Sequence, residues 1–169
     1  MTVIVTLGTD RSDLDRLVAA LDGGARVALI AADLVVAERA LSPITHDPFA
    51  PTSALVAGDR RGNAVVRHHR LVSVGTAFHE VRDPTHRSVG AVVIAPDDCD
   101  AAREAVQDLC RALDSGAVNV PQSDMVEAVL VALVRSEVTV RSVEIVDVPW
   151  FRSPIDPQPL AGRECDGGG

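Results

Sequence analysis

Two runs of branched aliphatic residues, Thr2 to Leu7 and Arg26 to Ala31, stand on either side of one short stretch with helical spacing. Within that stretch Leu14, Leu17, Val18 and Leu21 fall on a single helix face; Gly8-Thr9-Asp10 supplies a turn with candidate N-caps and Asp22-Gly23-Gly24 supplies a stop. Strand, helix and strand within residues 2–31 read as a β-α-β unit, whose strands run parallel through a right-handed crossover. That unit commits the chain to a sheet covered by helices. The core must be aliphatic, because the aromatic residues are only Phe49, Phe78, Trp150 and Phe151. With 169 residues, 47% of them hydrophobic, one continuous core is within reach, so a single domain is expected.

The remaining pattern extends the same plan. A short helix over residues 37–46 is stopped by Asp47-Pro48. Three short strands follow at 52–57, 64–67 and 71–74, with turns at 58–63 and 68–70, and read as a small antiparallel meander inserted into a parallel sheet. Ser88 to Ala95 is another apolar strand, and Pro96-Asp97-Asp98 opens a helix whose inner stripe is Ala102, Ala105, Val106, Leu109 and Leu113. A further helix runs from Ser123 to Arg135 with Met125, Val126, Val129, Leu130 and Leu133 inward. Val138 to Val148 is the last strand, and a change of phase between Val140 and Val143 predicts a bulge. The expected architecture is a three-layer α/β domain over residues 1–150, with a mostly parallel central sheet. A Pro/Gly-rich tail over 151–169 is expected to be disordered or a linker.

Charge and composition exclude several functions. A formal net charge of −8 argues against a general nucleic-acid binder, which needs a basic face to neutralise phosphates, and equally against adsorption to anionic lipid. All 16 basic side chains are Arg, so no lysine phosphate clamp or Schiff base can form. The longest apolar runs, Val27 to Ala32 and Val129 to Val134, are far below the ~20 residues of a membrane span. The N-terminus has no basic segment ahead of its first apolar strand, and the Cys residues have no paired-ligand spacing, so a cytoplasmic protein is expected. Cys99 and Cys110 fall on one predicted helix about 16 Å apart, too far to bridge.

Three sets of residues could carry chemistry. Asp33 lies just past the carboxyl end of the second strand, the edge where open α/β sheets bind ligands. A carboxylate there can hold Mg2+ against substrate phosphates, or simply cap the next helix or a turn. Gly8 and Thr9, at the strand-to-helix turn, could offer backbone amides to a nucleotide phosphate, or form an ordinary turn, since only one glycine is present. His68-His69, His79 and His86 lack the spacing of a metal pair and read as turn and loop residues.

The order of elements, with a strand ending in Asp33, a helix, a meander and the Gly90-Ala91-Val92-Val93-Ile94 strand, resembles nucleoside-triphosphate transferases. More narrowly, Arg26 to Val35, the Asp47-Pro48 step and Val148-Pro149-Trp150-Phe151-Arg152 look like the N-terminal domain of an actinobacterial family that places it ahead of a membrane-embedded CDP-alcohol phosphatidyltransferase. The resemblance implies a metal position at Asp33, with Asp147 or Asp156 as the nearby second carboxylate for Mg2+, and nucleotide contact at Gly8 and Thr9. It also implies a CTP-like nucleotide and a membrane phosphatidyltransferase domain as partners, and a role in phospholipid metabolism. The sequence departs from an active transferase in having Leu7-Gly8-Thr9-Asp10-Arg11 in place of a glycine-rich basic loop, and in having no Lys. The expected function is therefore a degenerate, non-catalytic nucleotidyltransferase-like domain. The alternatives are an active Mg2+-dependent transferase acting on a small phosphorylated alcohol or sugar, and a protein-interaction module.

Overall fold

The computed structural model describes residues 2–8, 10–121 and 124–152. Strand β1 (Thr2–Leu7), helix α1 (Arg11–Asp22) and strand β2 (Arg26–Ala31) form the expected unit, with β1 and β2 parallel from Thr2↔Arg26 to Leu7↔Ala31. The Asp10 side chain caps α1 by accepting from the Ser12 amide at 3.0 Å. Beyond β2 come β3 (Leu34–Val36), α2 (Glu38–Thr45), β4 (Ser53–Gly58), β5 (Ala64–Arg67), β6 (Arg70–Val74) and β7 (His86–Ile94). Helices α3 (Cys99–Asp114) and α4 (Met125–Arg135) follow, then β8 (Arg141–Glu144) and β9 (Trp150–Arg152).

Seven strands form one sheet in the order β1-β2-β7-β4-β8-β6-β5, and a further β5–β7 pairing closes the last five into a small barrel. Only β1–β2 and β4–β8 are parallel, against five antiparallel pairings, so the expected mostly parallel sheet is in fact mixed. The expected meander is reduced to the β5–β6 hairpin, because β4 goes between β7 and β8 instead of beside β5. The reason is burial. Ser53 to Val56 are buried on both faces, which suits an interior strand, whereas β6 alternates buried and exposed positions.

The last strand is also shorter than its apolar content implies. Val138 and Val140 pack into the core ahead of β8, whose register against β4 runs unbroken from Ser53↔Arg141 to Val56↔Glu144, so no bulge forms there. After a bend at Asp147 the chain returns as β9, antiparallel to β3 in a separate two-stranded ribbon. Residues 151 and 152 of the expected tail belong to β9. The rest of the tail, with Asp156, lies outside the described residues.

Alternation along the central strands divides the core in two. Val27, Leu29, Val92, Ile94, Ala54 and Val56 face α1, α3 and α4, while Ala28, Ala91, Val93 and Leu55 face Ile44 of α2. Leu14, Leu17 and Leu21 of α1 are fully buried, each contributing about 1.5–3 kcal/mol of transfer energy. Cys99 and Cys110 are buried and unbridged on α3. Among the described residues no helix is long and apolar enough to cross a membrane.

Candidate functional site

Asp33 stands in the tight turn between β2 and β3, and the β3–β9 ribbon sets Arg152 opposite Leu34, one residue from it. The Arg152 guanidinium donates from Nε to Asp33 Oδ1 at 2.5 Å and from Nη1 to Glu127 Oε1 at 3.1 Å. Ser88 of β7 donates its hydroxyl to the same Glu127 oxygen at 3.0 Å, and its amide to Asn63 Oδ1 at 2.9 Å. Asp33 and Glu127 are 8% and 4% exposed, so both carboxylates are withdrawn from water and depend on these partners. Burial pushes the Glu127 carboxyl above its usual range, with Arg152 opposing that shift. Glu127 Oε2 is buried without a hydrogen-bond partner among the described residues.

These groups line a cleft of about 820 Å3, whose other walls include Trp150 and Phe151 and the β4–β5 loop. In that loop Asp59 accepts from the Arg61 amide at 2.8 Å and from Arg87 Nε at 3.0 Å. The amide, and then Arg87, hold the Asp59 carboxyl below the usual range. The cleft thus places carboxylates and guanidinium groups beside two aromatic rings.

Of the residues singled out from sequence, Asp33 lines this cleft and Asp147 does not. Asp147 is exposed in its bend with a left-handed backbone, φ 56°. Asp33 does not cap the next helix either, since the N-cap of α2 is Ala37 without a side-chain bond. The Gly8 amide donates to Asp13 Oδ2 at 2.7 Å, and Asp13, buried, also pairs with Arg16. The turn amide is therefore engaged by a carboxylate of its own helix. Thr9 lies outside the described residues. His68 and His69 form the exposed β5–β6 turn with φ of 49° and 58°, while His79 Nε2 meets Ser73 Oγ at 2.9 Å.

The Mg2+ that the resemblance implies does not fit this arrangement. A hard dication needs several free oxygens, whereas Asp33 and Glu127 both bind one guanidinium, which repels a second cation. Among the described residues no group of three His, Cys, Asp or Glu could hold a metal ion.

Glu127, Arg152, Ser88 and Gly90 were not among the site residues expected from sequence. Glu127 carried a legible signal: it is the lone charge in Met125 to Val134, and a helix apolar on every side is a buried helix, so its one carboxylate is buried too. Gly90 carries no such mark. Its φ is +89°, and a Cβ there would stand 2.5 Å from Arg152 Nη1, so its missing side chain is the space the guanidinium fills.

No protein-family model and no curated protein matches the sequence. Solved structures match its fold. CTP:phosphocholine cytidylyltransferase from Streptococcus pneumoniae is 10% identical with a TM-score of 0.57, over 86% of this chain and 58% of that one. A Bacillus anthracis protein assigned as a glucose-1-phosphate thymidylyltransferase is 12% identical at a TM-score of 0.54, over 86% and 56%. The nucleoside-diphosphate-sugar pyrophosphorylase from Vibrio cholerae is 10% identical at 0.50, over 85% and 61%. The chain therefore spans less than two thirds of each of these structures, and what it shares with them is a nucleotidyltransferase-like fold.

Proposed function

We propose that this nucleotidyltransferase-like domain is a degenerate, non-catalytic form of its fold. It serves CDP-alcohol metabolism, by binding a CTP-like nucleotide weakly or by docking to a membrane phosphatidyltransferase. The observation that carries the proposal is the Arg152 guanidinium on Asp33, because it occupies the carboxylate that the resemblance would give to the metal ion of an active transferase. The engagement of the Gly8 amide by Asp13 supports the same reading, since it removes a backbone donor from the turn where a phosphate would sit. The likeness to an enzyme named for CTP and phosphocholine supports the link to phosphorylated alcohols, as a likeness of fold.

The test is turnover. Purified protein is incubated with Mg2+, CTP and phosphocholine, with UTP and dTTP and a sugar phosphate as parallel arms, and pyrophosphate release is followed. The expected result is release no faster than the protein-free blank. Turnover that disappears on Asp33→Asn overturns the proposal and makes Asp33 the metal carboxylate of an active transferase.

A further inference from the structure

We infer that Arg152 is the resident cation of this cleft: its guanidinium holds the place of a divalent ion between Asp33 and Glu127, and removing it uncovers a metal site that the native chain keeps closed. The inference rests on the non-catalytic reading above and adds to it Glu127 as the second carboxylate and the identity of the occupant.

Three features of the structure carry it. First, the two carboxylates come from distant parts of the chain, one from the β2–β3 turn and one from the first turn of α4, yet they meet adjacent nitrogens on the one guanidinium carbon. Second, the seat is shaped for this cation. Gly90 has a backbone conformation that L side chains rarely adopt, and a Cβ there would come within 2.5 Å of Nη1 and 3.2 Å of Cζ. Third, the coordination is incomplete. Glu127 is 4% exposed and lines the cleft, and its Oε2 has no partner among the described residues, an acceptor that the guanidinium leaves unused. With Arg152 removed, the Asp33 and Glu127 oxygens that it bridges, with the Ser88 hydroxyl on the same Glu127 oxygen, border the space it leaves in the cleft, where water can complete a metal shell. That is the donor chemistry of Mg2+ and Mn2+. Two facing carboxylates without their cation repel each other, which adds to the attraction for an incoming dication.

The experiment measures Mn2+ binding by calorimetry and by the loss of the free-ion EPR signal. The proteins compared are the full chain, Arg152→Ala and Arg152→Gln. The Gln variant retains a long neutral side chain that can still donate to Asp33, so it serves if the Ala variant does not fold. Circular dichroism and a cooperative melt establish folding in each case. The expected result is no Mn2+ binding by the wild type at millimolar ion. Binding should be at least about tenfold tighter in the Arg152 variants, since one positive charge is removed from hydrogen-bond distance of the ion. It should be lost again when Asp33→Asn or Glu127→Gln is added. Folded Arg152 variants that bind Mn2+ no better than the wild type overturn the inference and leave the non-catalytic proposal standing. Wild-type Mn2+ binding that depends on Asp33 overturns both.

Discussion

Gly90→Ala is the substitution through which the Arg152 seat can be weighed. Two costs add. The backbone at position 90 has φ +89°, and holding a residue with a Cβ there costs about 1–3 kcal/mol. The new methyl would also lie 3.1 Å from the Ala31 Cβ and 2.5 Å from Arg152 Nη1. The Ala31 contact can relax by a few tenths of an ångström, but the guanidinium must move, and it then gives up Glu127, Asp33 or both. Breaking a buried pair by removing one partner costs about 3–5 kcal/mol when the remaining charge stays buried. Here the cost is smaller, because the Glu127 carboxyl, already pushed up by burial, can take a proton, and because Arg152 is partly exposed. A total of about 3–5 kcal/mol follows, a large part of the 5–15 kcal/mol that holds a domain folded. Urea unfolding followed by circular dichroism reads it, in a cycle with Arg152→Ala. If displacement of the guanidinium is the mechanism, Gly90→Ala costs clearly less in the Arg152→Ala background than in the wild type. Equal costs in the two backgrounds, or a cost below about 1 kcal/mol in the wild type, would refute the reasoning.

Three other perturbations test separate parts of the structure. Glu127 has a folded-state pKa raised above its ordinary value of 4.5, so the folded state binds its proton more tightly, and stability falls as pH rises from about that value through the folded pKa; Glu127→Gln should flatten that decline in urea midpoints measured across pH, and an unchanged profile would exclude Glu127 as its source. Thr52, fully buried, donates to Asp98 Oδ2 at 2.5 Å and accepts from the Ala95 amide at 2.9 Å; Thr52→Val should cost about 1–3 kcal/mol by chemical denaturation and Thr52→Ser much less. Asp13→Ala removes the acceptor of the Gly8 amide and should cost about 1–3 kcal/mol, with faster hydrogen exchange at Gly8; undiminished protection there would mean that another group holds the amide.

What was legible in the sequence was local. The first β-α-β unit, helices α3 and α4 and the β5–β6 turn at His68-His69 follow from apolar periodicity and turn chemistry within a few residues, where the interactions that form them also lie. Asp33 was placed at its strand end for the same reason. Strand direction was not legible, because β4 has the same side-chain pattern whether its neighbours run parallel or antiparallel, and only burial on both faces assigned it to the sheet interior. The character of the candidate site was not legible either. Asp33 meets Arg152 across 119 residues of sequence, through a three-residue strand with no periodicity to announce it. The sequence by itself determined a nucleotidyltransferase-like order of elements and a carboxylate at a strand end. Tertiary structure decided that this carboxylate faces a guanidinium and a second buried acid, because which charge neutralises a buried carboxylate depends on the chain's return path through space.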